Sequence, residues 1–154
     1  MSGFIDVDWA GSLVDRKSTS GYCFNVGLGM VSWCSRKQKL VALSSAEAEY
    51  MAANMVTCKA LWLRKLLVSL FRKKMEATNV YCDNQSCVKF SENPAFHDRS
   101  KHIDIICHFI RDCVQRGAVQ LQYDPVVDIL TKALGRAKFI QFREHMGMVE
   151  NPFQ

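Results

Sequence analysis

From Ala48 to Phe71 the chain runs without glycine or proline and is rich in Ala, Leu and Met, which commits that stretch to one long α-helix. Ser44-Ser45-Ala46-Glu47 just before it is a capping box. The Ser44 side chain accepts from the Glu47 amide while the glutamate reaches back. Arg72-Lys73-Lys74 closes the run with cations that suit a helix C-terminus. A helix of this length needs a broad apolar surface to lie on, and the chain ahead of it supplies strands. Phe4–Val7 is a short apolar run ending in an acid, Gly21–Val26 and Met30–Arg36 flank a Gly27-Leu28-Gly29 turn, and Leu40–Leu43 is apolar enough for a further paired piece. The uncharged stretch from Ser18 to Ser35 is this hairpin and not a membrane span, because glycine, serine, threonine and asparagine interrupt it throughout.

Behind the helix the period alternates. Thr78–Cys82 reads as a strand closed by Asp83, and Asn84–Ser91 as a short helix stopped by Asn93-Pro94. His102–Arg116 carries Ile103, Ile106, Ile110 and Val114 at helical spacing and stops at Gly117. Ala118–Tyr123 alternates as a strand, with Val119, Leu121 and Tyr123 on one face. Asp124-Pro125 opens a helix with an N-cap and a first-position proline, and Lys138–Met146 makes a last helix before a fraying tail. Strands, a helix, then strand–helix–strand–helix make an α/β mixed sheet with helices packed on it. With 154 residues, 49% hydrophobic and 23% charged, there is material for one domain and no case for disorder.

Four acids stand out by position. Asp6 and Asp83 each close an apolar run, while Glu49 and Asp128 sit in the first turns of helices. Aspartates at strand ends are held at a sheet rim, where sites collect, and carboxylates converging there repel one another unless a cation intervenes. Hard oxygen ligands suit Mg²⁺ or Mn²⁺, and two such ions about 3.5–4 Å apart hydrolyse phosphodiesters. Taken singly, a strand-end aspartate is more often a turn-former than a ligand, and Glu49, like Glu47, is an ordinary first-turn acid. Zinc is a poor alternative: Cys82, Cys87, His97, His102, Cys107, His108 and Cys113 show no finger-type spacing. The seven cysteines are odd in number, form no C-x-x-C pair and follow no secretory leader, so reduced thiols in an intracellular protein are expected.

Longer words in the chain sharpen this. Phe4-Ile5-Asp6-Val7-Asp8-Trp9-Ala10-Gly11, then Asp15-Arg16-Lys17-Ser18-Thr19-Ser20-Gly21-Tyr22, resembles the opening of the ribonuclease H domain of copia-type retrotransposon Pol polyproteins. Trp33-x-Ser35-x-Lys37-Gln38, Val41-Ala42-Leu43-Ser44-Ser45-x-Glu47-Ala48-Glu49-Tyr50, Tyr81-Cys82-Asp83-Asn84-Gln85-Ser86, Lys101-His102-Ile103-Asp104 and Asp128-Ile129-Leu130-Thr131-Lys132 match further blocks in family order, over residues 3–134. The resemblance implies a ribonuclease H-like fold, a five-stranded mixed sheet flanked by helices. Residues 1–134 would form it, with 135–154 as its C-terminal helix and tail. It also implies an Mg²⁺-dependent enzyme that cleaves the RNA strand of RNA–DNA hybrids with two ions, beside a reverse-transcriptase domain of the same polyprotein.

The catalytic and metal-binding acids it implies are Asp6, Glu49, Asp83 and Asp128, with Glu47 left to the capping box. Asp8 is expected on the opposite face from Asp6. Only Asp124-Pro125-Val126-Val127 separates Tyr123 from Asp128, shorter than the family pattern, so Asp128 is expected to start its helix early and risk being drawn off the metals. That shortening motivates the alternative of a catalytically decayed copy that keeps the fold and weak nucleic-acid binding. Integrase or exonuclease cores share the superfold, but the Ser-Ser-x-Glu-Ala-Glu-Tyr word argues against them.

A net charge of +5 is compatible with a polyanion partner. Expected substrate contacts are Arg16, Lys17 and Ser18, with neighbouring Thr19, after the first strand. Ser35, Lys37 and Gln38, with Arg36, follow the hairpin, and Asn84 and Gln85 follow Asp83. Trp33 is expected in the core, as is the helix stripe Met55, Leu61, Leu66 and Leu70, unless that stripe docks a polymerase. No membrane contact and no small-molecule cofactor are expected, and the place of action is the cytoplasm or a virus-like particle.

Overall fold

Alternation along the first strand sends Ile5 and Val7 to one side and Phe4 and Asp6 to the other, and the whole fold is built on those two faces. In the computed structural model, which describes residues 1–72, 74–92 and 101–148, the strands are β1 (Ser2–Asp8), β2 (Thr19–Val26), β3 (Gly29–Lys37), β4 (Thr78–Cys82) and β5 (Val119–Tyr123). The helices are α1 (Ser45–Phe71), α2 (Gln85–Glu92), α3 (Lys101–Gln115) and α4 (Arg136–His145), with a 3-10 helix at Pro125–Leu130. The five strands form one mixed sheet in the order β3-β2-β1-β4-β5. The β1–β2–β3 part is antiparallel, and β4 runs parallel to both β1 and β5. Among the described residues no helix is long and apolar enough to cross a membrane.

One face buries Ile5, Val7, Tyr22, Phe24, Val80 and Leu121 under α1 and α3. The α1 surface laid on it is mostly small: Ala48, Ala52, Ala53, Val56 and Ala60, with Leu63. Alanines let the helix axis approach the sheet closely, so the larger side chains are displaced to the flanks. Met55 and Leu61 are only partly buried and Leu66 and Leu70 are exposed, which corrects the expected core stripe. The opposite face is covered by the 3-10 helix and the end of α4, where Phe4, Cys23, Val127 and Met146 pack together.

Local signals act as expected at most boundaries. Ser44 Oγ accepts from the Glu47 amide at 3.2 Å, and Glu47 reaches past the cap to accept from the Leu43 amide at 2.6 Å. Gly27 takes the positive φ (61°) that the hairpin turn requires. Leu40–Leu43 is not a strand: it is a loop with Leu40, Val41 and Leu43 exposed and only Ala42 buried. Trp33, on edge strand β3, is 70% exposed: its register partner is Cys23, on the face opposite α1, and the apolar cluster that the 3-10 helix and α4 build there takes in Cys23 but not Trp33. The helix opened by Asp124-Pro125 is 3-10, with Asp124 Oδ1 accepting from the Val126 amide at 2.9 Å. Asn93-Pro94, Lys73, His97 and the tail from residue 149 lie outside the described residues. All seven cysteines are free.

Candidate active site

Because β1, β4 and β5 are parallel neighbours, their C-terminal ends share one edge, and three aspartates meet there. Asp6 comes from β1, Asp83 follows β4, and Asp128 rides on the 3-10 helix after β5. One carboxylate oxygen from each lies within 4.8 Å of the others. Asp6 is fully buried and doubly held, accepting from the Val7 amide at 2.8 Å and from the Thr131 hydroxyl. The short Tyr123–Asp128 connection therefore does not draw Asp128 away. The 3-10 helix begins at once and its first turn delivers the acid to the cluster. Glu49 arrives from α1, on the other face, and stands outside the 4.8 Å group.

Asp8 keeps apart for a reason other than the one expected. β1 runs on through Asp8, and residues two apart in a strand share a face, so alternation does not separate it from Asp6. Its carboxylate turns instead against Gly11, where an added Cβ would stand 1.8 Å from Oδ2.

Burial and mutual repulsion dominate the electrostatics. Burial raises Asp6 above the ordinary carboxylate range despite the Thr131 hydrogen bond, and the Asp83 charge adds to the rise. Burial raises Asp83 as well, with Asp128 reinforcing and Lys132 opposing. Burial, then the charges of Asp83 and Asp6, push Glu49 up to about 9. Burial works against the Lys132 ammonium, yet its hydrogen bond to Asp128 and the charges of Asp6, Asp128 and Asp83 outweigh that and raise it. Oδ1 of Asp83 is buried without a hydrogen-bond partner. Hard oxygen donors, like charges at close range and an orphaned carboxylate oxygen together fit a divalent cation.

This arrangement sets a pH dependence. Between about 4.5 and 9 the folded protein keeps a proton on Glu49 that the unfolded chain has released, so stability falls as pH rises through that window. Asp6 and Asp83, also raised, act in the same direction. In chelator, the melting temperature should drop from pH 5 to pH 8.5, a loss on the order of a few kcal/mol. Glu49→Gln should flatten most of that slope, as melts across the range will show.

The expected substrate residues divide. Arg16, Ser35 and Gln85 are exposed near the rim, and Lys17 is half-buried. Ser18 is fully buried, its hydroxyl accepting from the Ala10 amide at 3.1 Å, so it shapes the loop and does not face substrate. Gln38 is likewise structural, donating to Ser20 Oγ at 2.8 Å and to the Ala48 carbonyl at 2.9 Å. Lys37 pairs with Asp15 at 3.2 Å. Asn84 Oδ1 caps α2 by accepting from the Cys87 amide at 3.0 Å, which leaves its amide nitrogen as a donor.

Sequence reasoning missed a groove of about 670 Å³ beside Gln38, lined by Arg36, Lys39, Asn54, Lys59 and Trp62. The Lys59 ammonium sits 4.2 Å from the Trp62 ring centroid, and Trp62 is 54% exposed. It also gave no role to Thr131 and Lys132. The four-residue spacing of Asp128 and Lys132 was the available signal for the second.

No family model matches the chain. The Retrovirus-related Pol polyprotein from transposon TNT 1-94 of Nicotiana tabacum is 39% identical over 155 residues, covering 98% of this chain but 12% of that protein. The chain thus spans about an eighth of that relative's length. A ribonuclease H1 isolated from compost by a metagenomic approach superposes with a TM-score of 0.59 at 14% identity, over 93% of this chain and 89% of that one. The protease–reverse transcriptase of prototype foamy virus gives a TM-score of 0.58 at 13% identity, over 97% of this chain and 21% of that one. The shared fold is that of ribonuclease H.

Proposed function

We propose, for a chain homologous along nearly its whole length to copia-type retrotransposon Pol polyproteins and folded as a ribonuclease H, that it hydrolyses the RNA strand of RNA–DNA hybrids. The observation that carries this reading is the meeting of Asp6, Asp83 and Asp128 within 4.8 Å at the ends of parallel strands. Those three would hold Mg²⁺ or Mn²⁺, with Glu49 contributing from α1. When bound, two such ions would supply the concentrated positive charge that phosphodiester hydrolysis requires. Asp6 is preorganised for this by the Val7 amide and the Thr131 hydroxyl, which fix both of its oxygens.

The chain's own surface offers the polyanion a path. Arg36, Lys39 and Lys59 line the groove beside Gln38, and Gln38 is bonded to the residue before Glu49. Their cations suit phosphates, and the exposed Trp62 face suits a base or sugar. Near Asp83, the Asn84 amide nitrogen and Gln85 suit the 2′-hydroxyls that distinguish RNA. In the polyprotein the chain would act beside a reverse-transcriptase domain, inside the cell or a virus-like particle.

A labelled RNA–DNA hybrid incubated with the purified chain and Mg²⁺ tests this. Fragments with 3′-hydroxyl ends, no cutting of duplex DNA or single-stranded RNA, and full inhibition by chelator are expected. The closeness of Asp128 to Asp6 and Asp83 favours this reading over a decayed copy. Binding of the hybrid without cleavage in either Mg²⁺ or Mn²⁺ would reverse that choice.

A further inference from the structure

Lys132 lies one step beyond the 3-10 helix cap, its amide donating to the Asp128 carbonyl at 3.0 Å. That bond aims the side chain back at the acids. Its ammonium donates to Asp128 Oδ1 and stands 3.5 Å from Asp83 Oδ2, so it contacts two of the three clustered aspartates. The side chain is 45% exposed, which means the stem reaches in from solvent and has room to swing out. Both carboxylates belong to the group that would hold a divalent ion. An ammonium donating to these carboxylates takes up negative charge and lone pairs that a metal would otherwise draw on, so the two compete for the cluster.

We propose that Lys132 is the built-in counter-ion of this acidic cluster, bridging Asp83 and Asp128 in the metal-free protein and yielding to a divalent cation. The inference rests on the metal-site reading above and adds a competitor to it. Without a cation, three carboxylates at this distance would splay apart. Lys132 keeps them assembled on their elements until a divalent ion arrives, and metal affinity is correspondingly weaker. The site thus trades tight metal binding for a preformed shape.

Calorimetric titration of the whole chain with Mg²⁺ and Mn²⁺ at one pH, paired with melting curves in chelator and in saturating metal, tests the exchange. Lys132→Met keeps the length of the stem and removes the charge. It should tighten metal binding about three- to tenfold, in line with the loss of a partly exposed ion pair. It should also lower the melting temperature in chelator while narrowing or reversing that deficit in metal. Lys132→Arg, which keeps a cation in place, should bind metal no more tightly than the native chain. If Lys132→Met does not fold in chelator, Lys132→Gln refolded in metal takes its place under the same criteria.

Equal or weaker metal binding by the neutral variants overturns the proposal, as does a melting deficit that metal leaves unchanged. A native chain that binds metal, with neutral variants that gain nothing, removes only the counter-ion role. Absence of divalent binding in every form removes the metal site and the counter-ion together.

Discussion

Asp83→Asn should reduce cleavage of an RNA–DNA hybrid by at least about a thousandfold while leaving the fold in place. Asparagine matches the shape of aspartate but brings a neutral amide to a position where Oδ1 is already buried without a partner and Oδ2 lies 3.5 Å from Lys132. The loss falls on charge, not on packing. Stability should move the other way, because Asp83 is itself raised by burial and its charge helps push Glu49 up to about 9. Removing it ends the cost of burying the Asp83 charge and its repulsion with Asp128, so the melting temperature in chelator at neutral pH should hold or rise. A variant that is as stable as the parent and nearly inert marks a site where stability is given up for function. Rates measured with saturating Mg²⁺, beside melts of both proteins, will check the pair of effects. Cleavage retained to within tenfold would take Asp83 out of the reaction.

Local chemistry made the elements legible, and long-range packing decided what was not. The Ser44–Glu47 box, the Gly27 turn and the Asp124-Pro125 start are set by hydrogen bonds within a few residues, and each acts where the chain suggests. Leu40–Leu43 has strand composition, but the sheet's outer place is already filled by β3 and only Ala42 finds cover. Trp33 alternates correctly, yet it falls on the face opposite α1, where how far the 3-10 helix and α4 extend their cover cannot be read from β3 itself. For the site, Asp6 and Asp83 announced themselves by closing apolar runs. The approach of Glu49 from the opposite face exists only once α1 lies on the sheet, and the reach of Thr131 and Lys132 to the acids only once β5 has placed the 3-10 helix.

That placement depends on an absent side chain. Gly21 stands directly across from Asp6 in the β1–β2 register, on the face that carries Phe4 and Cys23. A Cβ at Gly21 would come within 2.8 Å of the Leu130 carbonyl oxygen and 3.0 Å of Leu130 Cβ. The glycine is needed here for space. It lets the 3-10 helix sit close enough to the sheet that Asp128 joins the cluster, Thr131 donates to Asp6 and Lys132 reaches Asp83.

Gly21→Val should lift that helix off the sheet and disturb all three contacts at once, since they ride on one short segment. A displacement near 1 Å at reacting groups costs about a hundredfold in rate. Overpacking of this kind costs about 1–3 kcal/mol in stability. The rate should therefore fall further than instability alone accounts for, under conditions where the variant is fully folded, and metal affinity should fall with it. Gly21→Ala, with one methyl to accommodate, should show the same pattern more weakly. A valine variant that is destabilised yet cleaves and binds metal like the parent would mean that the seat of the 3-10 helix is set elsewhere, with the Phe4–Val127–Met146 cluster as the remaining contact able to hold it.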